Sequence, residues 1–88
     1  MAAMTDQDLI ARYIERDPYY PGEAEARVNP GWIHVWAIIG ELEGLDGDVP
    51  AVAEGFRIPC EAVEAALAYY RRHKAAIDAR LHANRQPG

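Results

Sequence analysis

The fold is decided by residues 48–67, which read DVPAVAEGFRIPCEAVEAAL. Asp48 is a preferred helix N-cap residue, so a short helix is predicted from this position to Phe56. Ile58 and the proline that follows it then form a turn, and a second helix begins near Cys60. A short helix, a tight turn and a second helix form the pattern of a helix-turn-helix, which is more specific for this shape than for DNA binding.

The apolar spacing of the second helix continues well beyond this segment, and it predicts one uninterrupted helix over residues 60–83. At 1.5 Å per residue such a helix is more than about 30 Å long. Because a small helical core cannot cover that length, we expect Ile77 and Leu81 to lie exposed and to contact another chain. The predicted partner or dimer interface consists of Trp32, Trp36, Tyr70, Ile77 and Leu81.

The residues before this segment predict one more helix pair and a hairpin. A helix over residues 6–16 is expected after a capping threonine, and residues 26–28 and 32–35 flank an Asn-Pro-Gly turn as two short strands. A further helix is expected over residues 35–43. The predicted fold is therefore mainly α: a trihelical helix-turn-helix bundle with a short N-terminal β-hairpin and a long C-terminal helix.

The 88 residues are few enough for one domain, which divides into three parts. Residues 1–17 are predicted to form an N-terminal helix extension, residues 18–84 the helix-turn-helix domain, and residues 85–88 a frayed tail. A domain of this size buries a small share of its surface, so we expect a protein partner or self-association, with a homodimer as the expected form.

The net charge of −5 is unevenly distributed along the chain. Residues 41–70 carry one arginine against seven acidic residues, whereas residues 71–88 carry five basic residues against one aspartate. Glu61 and Glu64 stand at the start of the second helix of the pair, where phosphates would repel them. DNA binding would therefore depend on a local basic patch. A solvated helix face explains this patch as well as a contact with phosphate or with an acidic protein surface does. The predicted DNA-binding residues are Arg57, Arg71, Arg72 and Lys74.

No pattern for catalysis, cofactor binding or metal binding is found, so the chain is predicted not to be an enzyme. His34, His73 and His82 lack the spacing of metal ligands on a helix, and Cys60 has no second sulfur near it. Apolar runs such as residues 35–39 are far too short to span a membrane. A single cysteine and the lack of a signal pattern favour a cytoplasmic protein.

Three segments carry a resemblance to a known family. They are residues 33–40 (IHVWAIIG), residues 62–73 (AVEAALAYYRRH) and residues 77–80 (IDAR). Over residues 17–84 the chain resembles the domain-of-unknown-function family 433. The common family form has a Gly-Thr-Arg-Ile-Pro-Val segment where residues 30–35 here read PGWIHV, so the arginine of that segment has no counterpart.

The resemblance implies an antitoxin-like protein of a bacterial toxin–antitoxin pair. Its partner would be a PIN-like ribonuclease toxin, and its dimers would bind operator DNA to autoregulate their own operon. Two alternatives remain open from the residues alone: a stand-alone transcriptional regulator, and a structural protein-interaction subunit with no toxin or DNA role.

Overall fold

The computed structural model describes residues 4–85, which are mainly helical with one small three-stranded antiparallel sheet. The sheet has the strand order β1-β2-β3, and the helices pack around it and against one another. In chain order the elements are α1 (Asp6–Tyr13), β1 (Ile14–Glu15), a 3-10 turn (Glu23–Glu25), β2 (Arg27–Val28), β3 (Ile33–His34), α2 (Val35–Gly44), α3 (Val49–Phe56), α4 (Cys60–Arg72) and α5 (Lys74–Arg85).

The predicted start of α1 is confirmed by a capping box. The Thr5 hydroxyl accepts from the Asp8 N–H, and the Asp8 carboxylate accepts from the Thr5 N–H. Leu9 and Tyr13 are buried in the common core, and α1 packs mainly against α4. The segment predicted as an N-terminal extension, residues 1–17, thus supplies side chains to that core.

The end of α1 and the number of strands differ from the prediction. Instead of continuing to residue 16, the helix ends at Tyr13, because Ile14 pairs with Val28 and the chain enters the sheet as β1. The predicted two-stranded hairpin is therefore the second half of a three-stranded sheet. The added strand satisfies backbone groups that an isolated hairpin would leave to water.

The next three predicted helix boundaries are confirmed. α2 begins at Val35, and the Asp48 carboxylate caps α3 by accepting from the Ala51 N–H. Arg57 and two further residues connect α3 to α4, which begins at Cys60. Arg57 has a left-handed backbone conformation (φ 59°, ψ 46°), the usual way for a helix to end before such a turn.

The long C-terminal helix is interrupted, so the prediction of one helix over residues 60–83 is wrong. α4 ends at Arg72, His73 has a non-helical backbone (φ −129°, ψ 36°), and α5 begins at Lys74. Neither proline nor glycine stands at the break, so neither of these helix-breaking residues causes it. The break turns α5 back so that it packs against α2.

The turn at His73 also overturns the predicted exposure of Ile77 and Leu81. Ile77 is fully buried and Leu81 is 5% exposed, and both belong to the core that the other elements form. Burying each of these side chains stabilises the fold by roughly 1.5–3 kcal/mol. In a straight helix both would stay in water, and this gain would be lost. These two residues are therefore not available as a partner or dimer interface.

The C-terminal residues also lie partly in a helix. Arg85 is the last described residue of α5, and its Nη2 lies 2.7 Å from Glu43 Oε2 on α2. The remaining positions of the predicted frayed tail, residues 86–88, lie outside the described residues.

Candidate functional site

Two of the basic residues predicted to bind DNA contact the N-terminal turn of α1. Arg71 Nη2 lies 3.0 Å from Asp6 Oδ1 and 3.1 Å from Asp6 Oδ2, and Arg72 Nη1 donates to Gln7 Oε1 at 2.7 Å. Both arginines are exposed, so each contact is weak, of about 0–1 kcal/mol. They join α4 to α1, and a phosphate would have to compete with Asp6 for Arg71.

The other two predicted DNA-binding residues differ in their surroundings. Lys74 Nζ pairs with Asp78 one helical turn later, and Tyr70 Oη donates to the same carboxylate at 2.6 Å. Tyr70, predicted to be an interface residue, is half-buried and braces the junction of α4 and α5 through this bond. Arg57 is exposed, and its guanidinium makes no hydrogen bond within residues 4–85.

The two predicted interface tryptophans are in different environments. Trp36 is half-buried, stacked on His34 with 5.0 Å between ring centroids, and the Arg80 guanidinium lies 4.6 Å from its ring. The Trp36 indole N–H is buried and has no hydrogen-bond partner within residues 4–85. Trp32, by contrast, is 40% exposed and stands in the turn between β2 and β3.

The backbone of Trp32 has a conformation that large side chains rarely adopt. Its φ angle is +53°, in the left-handed region. Arg27 holds the residue there: its Nη1 donates to the Trp32 carbonyl at 2.9 Å, and its guanidinium lies 5.6 Å from the centre of the indole ring. A conformation of this kind costs about 1–3 kcal/mol and persists only where surrounding contacts determine it.

Three exposed aromatic side chains stand on two segments that Asp17 and Arg27 connect, and we call them the aromatic surface: Tyr19 (85% exposed), Tyr20 (65%) and Trp32. The buried carboxylate of Asp17 accepts from Arg27 Nε at 3.0 Å and from the Tyr19 N–H at 2.9 Å. Arg27 also lines one cavity with Tyr20. Asp17 and Arg27 therefore fix the loop that carries Tyr19 and Tyr20 (the tyrosine loop) relative to the turn that carries Trp32 (the tryptophan turn).

Tyr19 and Tyr20 are not among the interface residues predicted from the sequence. A signal was present, because Tyr19 and Tyr20 stand between Pro18 and Pro21, where no helix or strand can bury them. Two adjacent aromatic residues in such a turn predict apolar area that is exposed to solvent. Their link to Trp32 could not be predicted, since it depends on the fold of the sheet.

The aromatic surface has an acid-sensitive support in Asp17. The N–H of Tyr19, and then the hydrogen bond and charge of Arg27, lower the pKa of this carboxyl below its ordinary value of 3.8 against the opposing effect of burial. Because the pKa of Asp17 is lower in the folded state than in the unfolded state, its ionised carboxylate stabilises the fold. This stability is fully present above about pH 3.8, and it is lost as the pH falls through the pKa of the folded state.

We therefore expect Asp17→Asn to be less stable than the wild type at pH 7 and to lose less stability between pH 5 and pH 2. Urea unfolding followed by circular dichroism at both ends of that range measures the difference. Asp46→Asn is the control, since Asp46 is exposed and makes no side-chain hydrogen bond within the described chain. Equal acid sensitivity of Asp17→Asn and wild type would contradict the role given to Asp17.

Comparisons with protein-family models, with curated proteins and with solved structures gave no match to this chain. Within residues 4–85, no helix has the length and apolar character needed to cross a membrane. Over the same range, no three His, Cys, Asp or Glu side chains are grouped so that they could hold a metal ion.

Proposed function

We propose that this chain is an antitoxin-like binding module that uses the aromatic surface to contact a protein partner. The observation that carries the proposal is Trp32, an exposed tryptophan held by Arg27 in a left-handed backbone conformation. Strained residues of this kind cluster at functional sites, where the strain presents a side chain in a defined direction.

The composition of the surface favours a protein as the ligand. Tryptophan, tyrosine and arginine are the residues most enriched among those that dominate binding energy at protein interfaces. Tyr19, Tyr20 and Trp32 offer large, rigid apolar area at low entropic cost, and Arg27 adds a partly buried cation. Such area is unfavourable in water, so covering it gives a driving force for association.

The family resemblance suggests the kind of partner, a PIN-like ribonuclease. A ribonuclease needs a cationic surface to hold RNA, and a module with a net charge of −5 complements such a surface. The proposal includes a cytoplasmic location, because a toxin of this kind acts on cellular RNA. A homodimer is part of the proposal too, formed without Ile77 and Leu81, which are buried within one chain.

The proposal also includes a helix-turn-helix shape for α3 and α4. Operator binding is a separate prediction that follows from the family resemblance. Glu61 and Glu64 are exposed near the start of α4, and Arg57 is the only basic residue of the pair before its last turn. Since phosphates repel such a surface, the geometry favours a protein contact over DNA contact by these two helices.

Trp32→Ala is expected to weaken binding of the partner by about thirtyfold, which corresponds to about 2 kcal/mol. The physical reason is the loss of the large apolar contact that the Trp32 side chain of the aromatic surface would make. The chain is coexpressed with the products of the reading frames next to its gene. The affinity for a copurifying product and the inhibition of RNA cleavage by that product are both measured. Leu45→Ala is the matched control, because Leu45 is also a 40% exposed apolar residue but lies at the end of α2.

Wild-type affinity and inhibition in Trp32→Ala would contradict the proposal, as would an equal loss in Trp32→Ala and Leu45→Ala. Tight binding that leaves RNA cleavage unchanged would instead support the structural subunit without a toxin. A salt-sensitive complex with the upstream DNA alone would support the stand-alone regulator.

A further inference from the structure

A cavity of about 280 Å³ lies beside the aromatic surface. Its walls come from the tyrosine loop, the 3-10 turn, the two strands of the hairpin and α5, so it exists only when α5 is folded back. The lining residues are Tyr20, Glu25, Arg27, His34 and Arg80.

Both arginines of this cavity are held by a carboxylate at Nε. Arg27 Nε lies 3.0 Å from Asp17 Oδ2, and Arg80 Nε lies 3.0 Å from Glu25 Oε1. Arg27 uses Nη1 for the Trp32 carbonyl, but its Nη2 has no hydrogen-bond partner within residues 4–85, and neither does either η nitrogen of Arg80. Arg27 is thus oriented by two hydrogen bonds and Arg80 by one, while η donors of both remain available.

The position of Arg80 is further restricted from one side. Its guanidinium lies 4.6 Å from the ring of Trp36, which in turn stacks on His34. The side chain of Arg80 is partly buried, with 32% of its surface exposed. An arginine that is already immobilised loses little entropy when it binds a ligand, so its free donors are preorganised.

The charged residues around the cavity determine which anion it can bind. Burial, and then the positive charge of Arg27, lower the pKa of His34, so this imidazole is neutral at pH 7. Arg27 and Arg80 are balanced by Glu25 and by the buried carboxylate of Asp17 behind Arg27, so the four formal charges cancel. A group with a single negative charge upsets this balance less than a doubly charged phosphate monoester would.

We propose that this cavity binds one carboxylate side chain of the protein partner, with the free η nitrogens of Arg27 and Arg80 as donors. Guanidinium groups bind carboxylates through paired N–H···O bonds, which give both strength and a defined direction. The inference deepens the proposed function and rests on it, because the cavity shares Tyr20 and Arg27 with the surroundings of the aromatic surface.

A phosphodiester also carries one negative charge, yet the chain as a whole disfavours it. Nucleic acid brings a row of phosphates toward a protein of net charge −5, and this repulsion acts over about 10 Å. A single carboxylate at an interface interacts mainly with the groups that it touches. The net charge of the chain therefore favours a protein carboxylate over a nucleic-acid phosphodiester at this cavity.

The first experiment uses the isolated protein and simple anions. The Nε–Hε resonances of ¹⁵N-labelled protein are followed while sodium acetate replaces sodium chloride at constant ionic strength, and dimethyl phosphate is the second probe. We expect acetate to shift the Arg27 and Arg80 signals and to leave Arg85 in place. No shift with acetate, or a larger shift with dimethyl phosphate, would overturn the carboxylate assignment.

The second experiment compares variants in binding to the partner used for Trp32→Ala. Arg80→Gln is expected to weaken binding by about tenfold or more, because the partner's carboxylate loses its donors. Arg85→Gln is the matched control, an arginine on the same helix that also pairs with one glutamate, Glu43. Thermal unfolding of each variant shows whether the fold is retained.

Glu25→Gln separates a binding role from a merely structural one. If Arg80 only tied α5 to the 3-10 turn, then Glu25→Gln and Arg80→Gln would weaken binding alike. In the proposed site, Glu25→Gln removes a repulsive carboxylate, keeps an oxygen for Arg80 Nε, and leaves binding equal or tighter. A loss in Glu25→Gln as large as that in Arg80→Gln would overturn the proposal.

The two proposals fail in different ways. Wild-type affinity in Arg80→Gln, with binding lost in Trp32→Ala, overturns the carboxylate pocket and leaves the aromatic surface standing. Wild-type affinity in Trp32→Ala overturns the proposed function, and the acetate titration then still decides whether the pocket binds a carboxylate.

Discussion

Ile77→Ala is expected to lower the free energy of unfolding by about 2–5 kcal/mol, a large share of the roughly 5–15 kcal/mol of a typical small domain. Ile77 is fully buried on α5, in one core with residues of α1, α2 and the sheet. Truncation removes its transfer free energy and leaves a cavity that helices anchored on several sides cannot fill.

Urea unfolding followed by circular dichroism measures this loss. Ile10→Ala is the matched control, since it deletes the same atoms at a half-buried position of α1 and should cost clearly less. An aspartate at position 77 should prevent folding altogether, because it would bury an unpaired charge. A stably folded Ile77→Asp that lost only its assembly with a partner would show that α5 is not packed in the core.

The second large effect is expected at Gly40, where α5 crosses α2. A Cβ atom built on Gly40 lies 3.2 Å from Leu81 Cδ2, tighter than an ordinary van der Waals contact. Leucine at this position would push α5 away from α2, and overpacking of this kind costs about 1–3 kcal/mol. We therefore expect Gly40→Leu to be destabilising although leucine is the better helix former.

Gly55→Leu is the control for this change. A Cβ on Gly55 of α3 meets nothing within 4 Å, so the better helix propensity should make this variant equally stable or up to about 1 kcal/mol more stable. Thermal unfolding of the two variants side by side measures the contrast. Equal stability of the two leucine variants would mean that α5 does not lie close to Gly40.

The return of α5 moves the candidate interface to another part of the molecule. Ile77 and Leu81 are covered within the chain. Of the large apolar side chains exposed within residues 4–85, three belong to the aromatic surface, and the others are Met4 and Leu45. The same return brings Arg80 beside Arg27 in the wall of one cavity. The aromatic surface and the proposed carboxylate pocket are thus both consequences of one break between helices.

Local features were predictable because their causes lie within a few residues. The Thr5 capping box, the Asp48 cap and the start of α4 after Pro59 each depend on side chains that bond or restrict their own turn of backbone. The absence of a long apolar run in the sequence likewise agrees with the lack of a membrane-spanning helix over residues 4–85. The choice of Trp32 as an interface residue also came from the sequence, and it is still a prediction.

The sequence by itself determined the mainly helical class, most helix starts and the exposed acidic residues, since periodicity, capping and charge act locally. Only the tertiary structure decided that β1 completes the sheet, that the chain turns at His73 and that Ile77 and Leu81 are buried. The apolar spacing of α5 in the sequence is the same whether solvent, a partner or α2 covers this side of the helix. What covers it depends on residues such as Gly40, more than thirty positions earlier, whose missing side chain leaves room for the helix.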